Sequence, residues 1–175
     1  MIMSKIQSIT IRYFLLIIIS LGNFWIIYKT FTFPTITLSY FFIHLIYPLS
    51  LLEGNTIQYS SKLLAIIAPC VAGAAYFLLL LLNLGTSMPL KTRIKSLVFL
   101  ILTFFLINIL RIVLFAVLFA RNYLYLDLLH SITWHFLSIF IVIILWFINI
   151  RLFNIKQIPF YSDLKYLYSL INNKK

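Results

Sequence analysis

The chain has 175 residues, 63% of them hydrophobic and only 10% charged, with a mean hydropathy of +1.09. Such a composition cannot cover a soluble surface and excludes an ordinary water-soluble globular domain. The net charge of +11 is no nucleic-acid footprint either: the basic residues stand mostly at the ends of apolar runs, where they snorkel and fix orientation.

The runs reach the ~20 residues that cross a bilayer, so the expected fold is an all-α, polytopic transmembrane helix bundle. Apolar segments fall at 11–31, 36–52, 63–85, 96–119 and 131–150, giving five spans, or six if the third region is split. Lys5 and Arg12 before the first run resemble the lead of a signal peptide. No small-x-small cleavage site follows, so the run reads as a retained first span. Pro34 and Pro48 bound the second segment, whose shortness suggests a tilted or partly interfacial helix. The connector EGNTIQYSSK (53–62) is polar, LGTSMPLKTRIK (84–95) carries Gly and Pro breakers, and RNYLYLDLLH (121–130) places tyrosines as interfacial anchors. Residues 1–150 are expected to form a single transmembrane domain, and 151–175 a basic cytoplasmic tail.

Orientation follows from the short-loop charges. With five spans, one face carries Lys29, Lys91, Arg93, Lys95 and the tail residues Arg151, Lys156, Lys165, Lys174 and Lys175. The other carries Lys5, Arg12, Lys62 and Arg121. The larger set belongs inside, which puts the C-terminus in the cytoplasm and the N-terminus outside. Cys70, Arg111 and His130 then all fall near the outer face.

Those three residues are the candidates for chemistry. Arg111 interrupts FLINILRIVLFAVLF, where a guanidinium costs about 2.5–3.5 kcal/mol at mid-helix on insertion scales. It is either a snorkelling or helix-joining arginine, or a fixed positive charge for a developing oxyanion. Asn108, one turn earlier on the same face, supplies a second donor. His130 suits a general base, and Asp127, three residues before it, would orient the imidazole if the helix starts early enough. His135 lies on another face and His44 in the second segment; both rank lower. Cys70 follows Pro69. If the helix begins there, the cysteine sits in its first turn, after an extended or re-entrant stretch at 57–67, and the free N–H groups favour a thiolate. If the helix begins near Leu63, Pro69 only kinks it, and Gly73 and Ala74 let a neighbouring helix approach. The single cysteine excludes an internal disulfide, and the scarcity of His, Asp and Glu argues against a metal centre. No cofactor is expected.

The order Cys…Arg…His, with A-P-C-V-A-G at 68–73, N-I-L-R-I at 108–112 and L-H at 129–130, resembles the exosortase/archaeosortase family. The chain looks like a short member of the small archaeal kind, with the likeness covering about residues 55–150. The resemblance implies a membrane cysteine transpeptidase or protease. Its partners would be membrane-anchored proteins with a C-terminal sorting signal, cleaved through a thioester and passed to a membrane lipid or another acceptor. Cys70 would be the nucleophile, Arg111 the oxyanion or substrate stabiliser and His130 the base. Val71 and Ala72 stand before Gly73, where the family commonly has one small residue. The competing reading is a non-enzymatic assembly or transport subunit with a structural cysteine and arginine. Serine and metalloprotease readings lack a G-x-S-x-G or H-E-x-x-H motif, and oligomeric state is not legible.

Overall fold

The computed structural model describes residues 2–21 and 25–172. Helix α1 (Ile2–Leu21) and helix α2 (Trp25–Ile46) meet at 70°. The middle of the expected 11–31 segment lies outside the described residues. Pro34 does not separate two segments; α2 runs through it. The proline removes one backbone donor, while the hydroxyls of Thr30 and Thr37 bond to the carbonyls of Ile26 and Phe33.

The all-α expectation needs correction at the polar connector. Residues 51–65 fold into an antiparallel meander of β1 (Leu51–Glu53), β2 (Thr56–Tyr59) and β3 (Lys62–Ala65). Gly54 turns the first corner at φ +60°, and Ser60 and Ser61 turn the second at φ 47° and 61°. Two successive positive φ values make the kind of tight turn whose twist matches a hairpin. The strands are short, but β2 alternates: Ile57 and Tyr59 are buried while Gln58 faces out. Ile57 and Tyr59 pack with Ile43, Ile66, Ile112 and Ala116.

Two bonds fasten the hairpin to the following long helix, α5 (Leu90–Ala120), and to the turn just beyond it. The Tyr59 hydroxyl donates to the Ala116 carbonyl at 3.0 Å, and Lys62 Nζ to Asn122 Oδ1 at 2.6 Å. Burial, followed by the charge of a neighbouring Tyr47 phenolate, pushes the Tyr59 phenol up to about 12. An unfolded tyrosine ionises near pH ~10. The neutral phenol's contribution is therefore complete below about pH 10 and is lost as pH rises through about 12. Thermal melts in nanodiscs should show this alkaline loss, and Tyr59→Phe should flatten it while lowering neutral-pH stability by about 1 kcal/mol.

After β3 come α3 (Ala68–Val71) and α4 (Gly73–Leu84), which run back along α5. Gly73 lets α2 approach closely, because a Cβ there would sit 2.7 Å from the tip of the Tyr28 side chain, which would have to shift. Tyr76, Leu79, Leu100, Phe104, Val142 and Trp146 form the main core. Helix α5 divides its faces by fours. Ser96, Leu100, Phe104, Asn108, Ile112 and Ala116 are buried, whereas Val98, Leu102, Leu106, Leu110 and Leu114 are each more than half exposed. A row of exposed leucines on one long helix is what lipid contact requires. Among the described residues α5 is the one helix that is by itself long and apolar enough to cross a membrane; α1 and α2 pass that test jointly, as a bent pair. The stretches Ala68–Leu84 and Ser138–Leu152 are shorter apolar helices.

The chain returns through α6 (Leu126–Ile132), a π-helical turn (Thr133–Leu137) and α7 (Ser138–Leu152). The tail is not a loose basic extension over its described length: it ends in α8 (Tyr161–Asn172), docked on the bundle. Arg12 Nη2 pairs with Asp163 Oδ2 at 2.8 Å, and Nη1 donates to the carbonyls of Leu84 and Thr86. Arg93 also donates to Thr86, and to Asn83. The loop-charge count puts Arg12 on the face opposite the tail, whereas the ion pair joins Arg12 to the tail helix at one end of the bundle.

Candidate active site

Residues 62–67 are extended, and Ile67 (φ −104°, ψ 169°) precedes α3, with Pro69 in its first turn. Of the two alternatives left by the sequence, the helix therefore begins at the proline, and no helix runs through from Leu63. Pro69 suits this place because its missing N–H has no helical partner to serve. The expected dipole effect on the thiol fails, however. α3 is a single turn of four residues, too short for a substantial macrodipole, and the Cys70 N–H is already bonded to the Ile67 carbonyl at 2.8 Å.

The turn ends at Ala72, held in the left-handed region at φ 59°, ψ 45°. That conformation costs a residue with a Cβ about 1–2 kcal/mol, and it breaks the helical ladder between α3 and α4. The Cys70 carbonyl is taken up by side chains of α5: Asn108 Nδ2 at 2.9 Å and Arg111 Nη2 at 3.4 Å. Arg111 thus turns into the bundle and does not snorkel out. Its other terminal nitrogen donates to Ser138 Oγ at 3.3 Å, and Ser138 donates to the Thr133 carbonyl at 3.2 Å. Arg111 and Cys70 also line a common cavity. The fixed positive charge beside the cysteine is therefore an arginine, not a helix end.

His130 lies within α6, one turn after Asp127, because that helix starts at Leu126. Its ring stands edge-on to Phe115 at 5.3 Å and 83°, and Phe115 is one turn beyond Arg111 on α5. Cys70, Arg111, Asp127 and His130 line one cavity of about 280 Å³, walled by Leu63 and Leu64 of β3 and by Phe115 and Phe119 of α5. Five of the residues singled out from the sequence meet at this place, with Asn108 joined to it through the Cys70 carbonyl. His44 does not: it faces out and contacts Ser50 Oγ at 3.1 Å. The side chain of His135 lies outside the described residues.

Ser138 and the π turn were not foreseen. On a regular helix, eight residues rotate the side chain by about 800°, or about 80° off register. A π turn adds one residue without its rotation, which leaves His130 and Ser138 about 20° apart on nearly the same face. The turn is thus what lets one helical run present a base to the cavity and a hydroxyl to Arg111. A lone serine in FLSIFIVIIL is the only sequence signal for it, and a weak one. Among the described residues no group of three or more His, Cys, Asp or Glu side chains is placed to hold a metal ion. No protein-family model, no curated protein and no solved structure matches the chain.

Proposed function

We propose that the protein is a membrane cysteine transpeptidase or protease acting on exported, membrane-anchored proteins. The observation that carries this reading is the common cavity of Cys70, Arg111 and His130, contributed by three separate elements. The chemistry is acyl transfer. The Cys70 sulfur attacks a substrate carbonyl while His130 takes the thiol proton, and the oxyanion develops beside Arg111. Collapse breaks the C–N bond, His130 returns the proton to the departing amine, and a thioester remains on Cys70. A hydroxyl, amine or water then gives its proton to His130, attacks the thioester and restores the thiol. Asp127 orients the imidazole, and Asn108 holds the Cys70 backbone. The resemblance to exosortases and archaeosortases supplies the substrate class, proteins with a C-terminal sorting signal, and a membrane lipid as one acceptor.

The same reading gives four membrane crossings in place of five or six: α1 with α2, α3 with α4, α5, and α6 with α7. Both ends of the chain then lie at the Arg12–Asp163 face, whose basic residues make it cytoplasmic, and the cavity opens at the outer face. The N-terminus moves inside by this account.

A non-enzymatic assembly subunit is the second reading, favoured by one observation: the bonds of Arg111 to the Cys70 carbonyl and Ser138 are also those of a helix-joining arginine. Alkylation of the single cysteine separates the two. A membrane-impermeant thiol reagent, applied from pH 5 to 9 to cells or oriented vesicles, is expected to label Cys70 from outside. The apparent thiol ionisation is expected to move upward in Arg111→Ala and in His130→Ala. A thiol unreactive at every pH, or reactive only from the cytoplasmic side, would leave Cys70 as packing and favour the assembly reading.

A further inference from the structure

One wall of the cavity is a strand edge. The sheet order is β1-β2-β3, so among the described residues β3 has a strand neighbour on one side only. Antiparallel residues alternate between pairs that exchange backbone hydrogen bonds and pairs that do not. The residues flanking a two-residue hairpin turn form a bonded pair; here these are Glu53 with Thr56, and Tyr59 with Lys62. Counting from them, Lys62 and Leu64 bond to β2. Leu63 and Ala65 turn their N–H and C=O groups to the free side. The bond from the Ile66 N–H to the Asn55 carbonyl, at 2.8 Å, falls where this alternation requires it. Leu63 and Leu64 line the same cavity as Cys70, Arg111 and His130, and Leu63 is 66% exposed.

We infer that the scissile segment of a substrate binds in extended form as a fourth strand on β3, with its backbone paired to Leu63 and Ala65 and its scissile carbonyl delivered to Cys70. This rests on the transpeptidase reading and names its substrate class more closely. The site takes an extended polypeptide through main-chain bonds, with one row of its side chains against the apolar wall of Phe115 and Phe119. A helical segment would have to unwind before cleavage.

The test uses full-length protein in nanodiscs and compares two kinds of thiol reagent. One is iodoacetamide, which has no backbone to pair. The other is a panel of tripeptidyl chloromethyl ketones differing in side chains, each with and without N-methylation of its backbone amides. In the wild type at least one peptidyl ketone should label Cys70 faster than its N-methylated form. Leu63→Pro and Ala65→Pro each delete an outward N–H that β2 does not use, at an edge position that admits proline. Each should reduce the peptidyl advantage by about fivefold, the loss of one backbone hydrogen bond. The advantage is read in each variant as the ratio of peptidyl to iodoacetamide rate, so that a change in the site itself divides out, and Leu63→Ala, which keeps the N–H, should hold a larger ratio than Leu63→Pro. Equal ratios in the wild type and in the proline variants overturn the inference, as does a panel in which N-methylation never matters. A wild-type thiol inert to iodoacetamide instead overturns the transpeptidase reading.

Discussion

Arg111→Ala is expected to reduce processing of a co-expressed exported protein, one ending in a single apolar span and a basic tip, by about 10²–10³-fold, the usual cost of losing one oxyanion donor. The chain should still reach the membrane, because the Cys70 carbonyl keeps the shorter bond from Asn108, 2.9 Å against 3.4 Å. On the proposed transpeptidase reading the long Arg111 contact has a use: a guanidinium held at 3.4 Å in the resting site can turn toward an oxyanion at small cost. Arg111→Lys should recover only part of the rate, since an ammonium cannot span two acceptors as the planar fork does. Ser138→Ala removes one anchor of the fork and should act in the same direction but more weakly. A charge readout separates catalysis from scaffolding. Iodoacetate should label wild-type Cys70 faster, relative to neutral iodoacetamide, than it labels Arg111→Ala. Unchanged processing in Arg111→Ala, together with an unchanged reagent ratio, would refute the catalytic role of this arginine.

How far the sequence carries this site depends on the residue. A charged group inside an apolar run is conspicuous because hydrocarbon penalises it, which is why Arg111 and its neighbour Asn108 could be read directly. Cys70 could be read only with its proline, and the choice between helix start and helix kink needed the extended residues 62–67 before it. The hairpin was missed because TIQY and KLLA are too short for a periodicity argument, and because serines stand at the positive-φ turn positions where asparagine and glycine are the usual signal. The division of the first two apolar runs failed at Pro34, which is tolerated inside α2. The π turn has no composition of its own, so the register it sets between His130 and Ser138 is visible only in three dimensions.

The largest stability effect should come from Asp163, which nothing in the sequence pattern singles out. Arg12 and Arg93, 6% and 8% exposed, both donate to the Thr86 carbonyl, and Asp163, 1% exposed, pairs with Arg12. Removing the carboxylate would leave two guanidiniums buried together around one carbonyl. A buried pair broken on one side typically costs 3–5 kcal/mol, a large share of the ~5–15 kcal/mol that holds a domain folded. Asp163→Ala is therefore expected to fall sharply in melting temperature or in folded yield from the membrane. The carboxylate's other oxygen, Oδ1, has no hydrogen-bond partner among the described residues, so the pair itself is imperfectly satisfied. Replacing both members, as Arg12→Met with Asp163→Leu, should consequently recover most of the loss. A single Asp163→Ala variant within 1 kcal/mol of wild type by thermal or denaturant unfolding would show that the charges find water at this end of the bundle. The consequence for function follows from where the pair sits. It locks α8 over the loop joining α4 to α5; α4 follows directly on the Cys70 turn, and α5 carries Arg111. Loosening the clamp should therefore lower cysteine reactivity in parallel with stability, while the double replacement restores both.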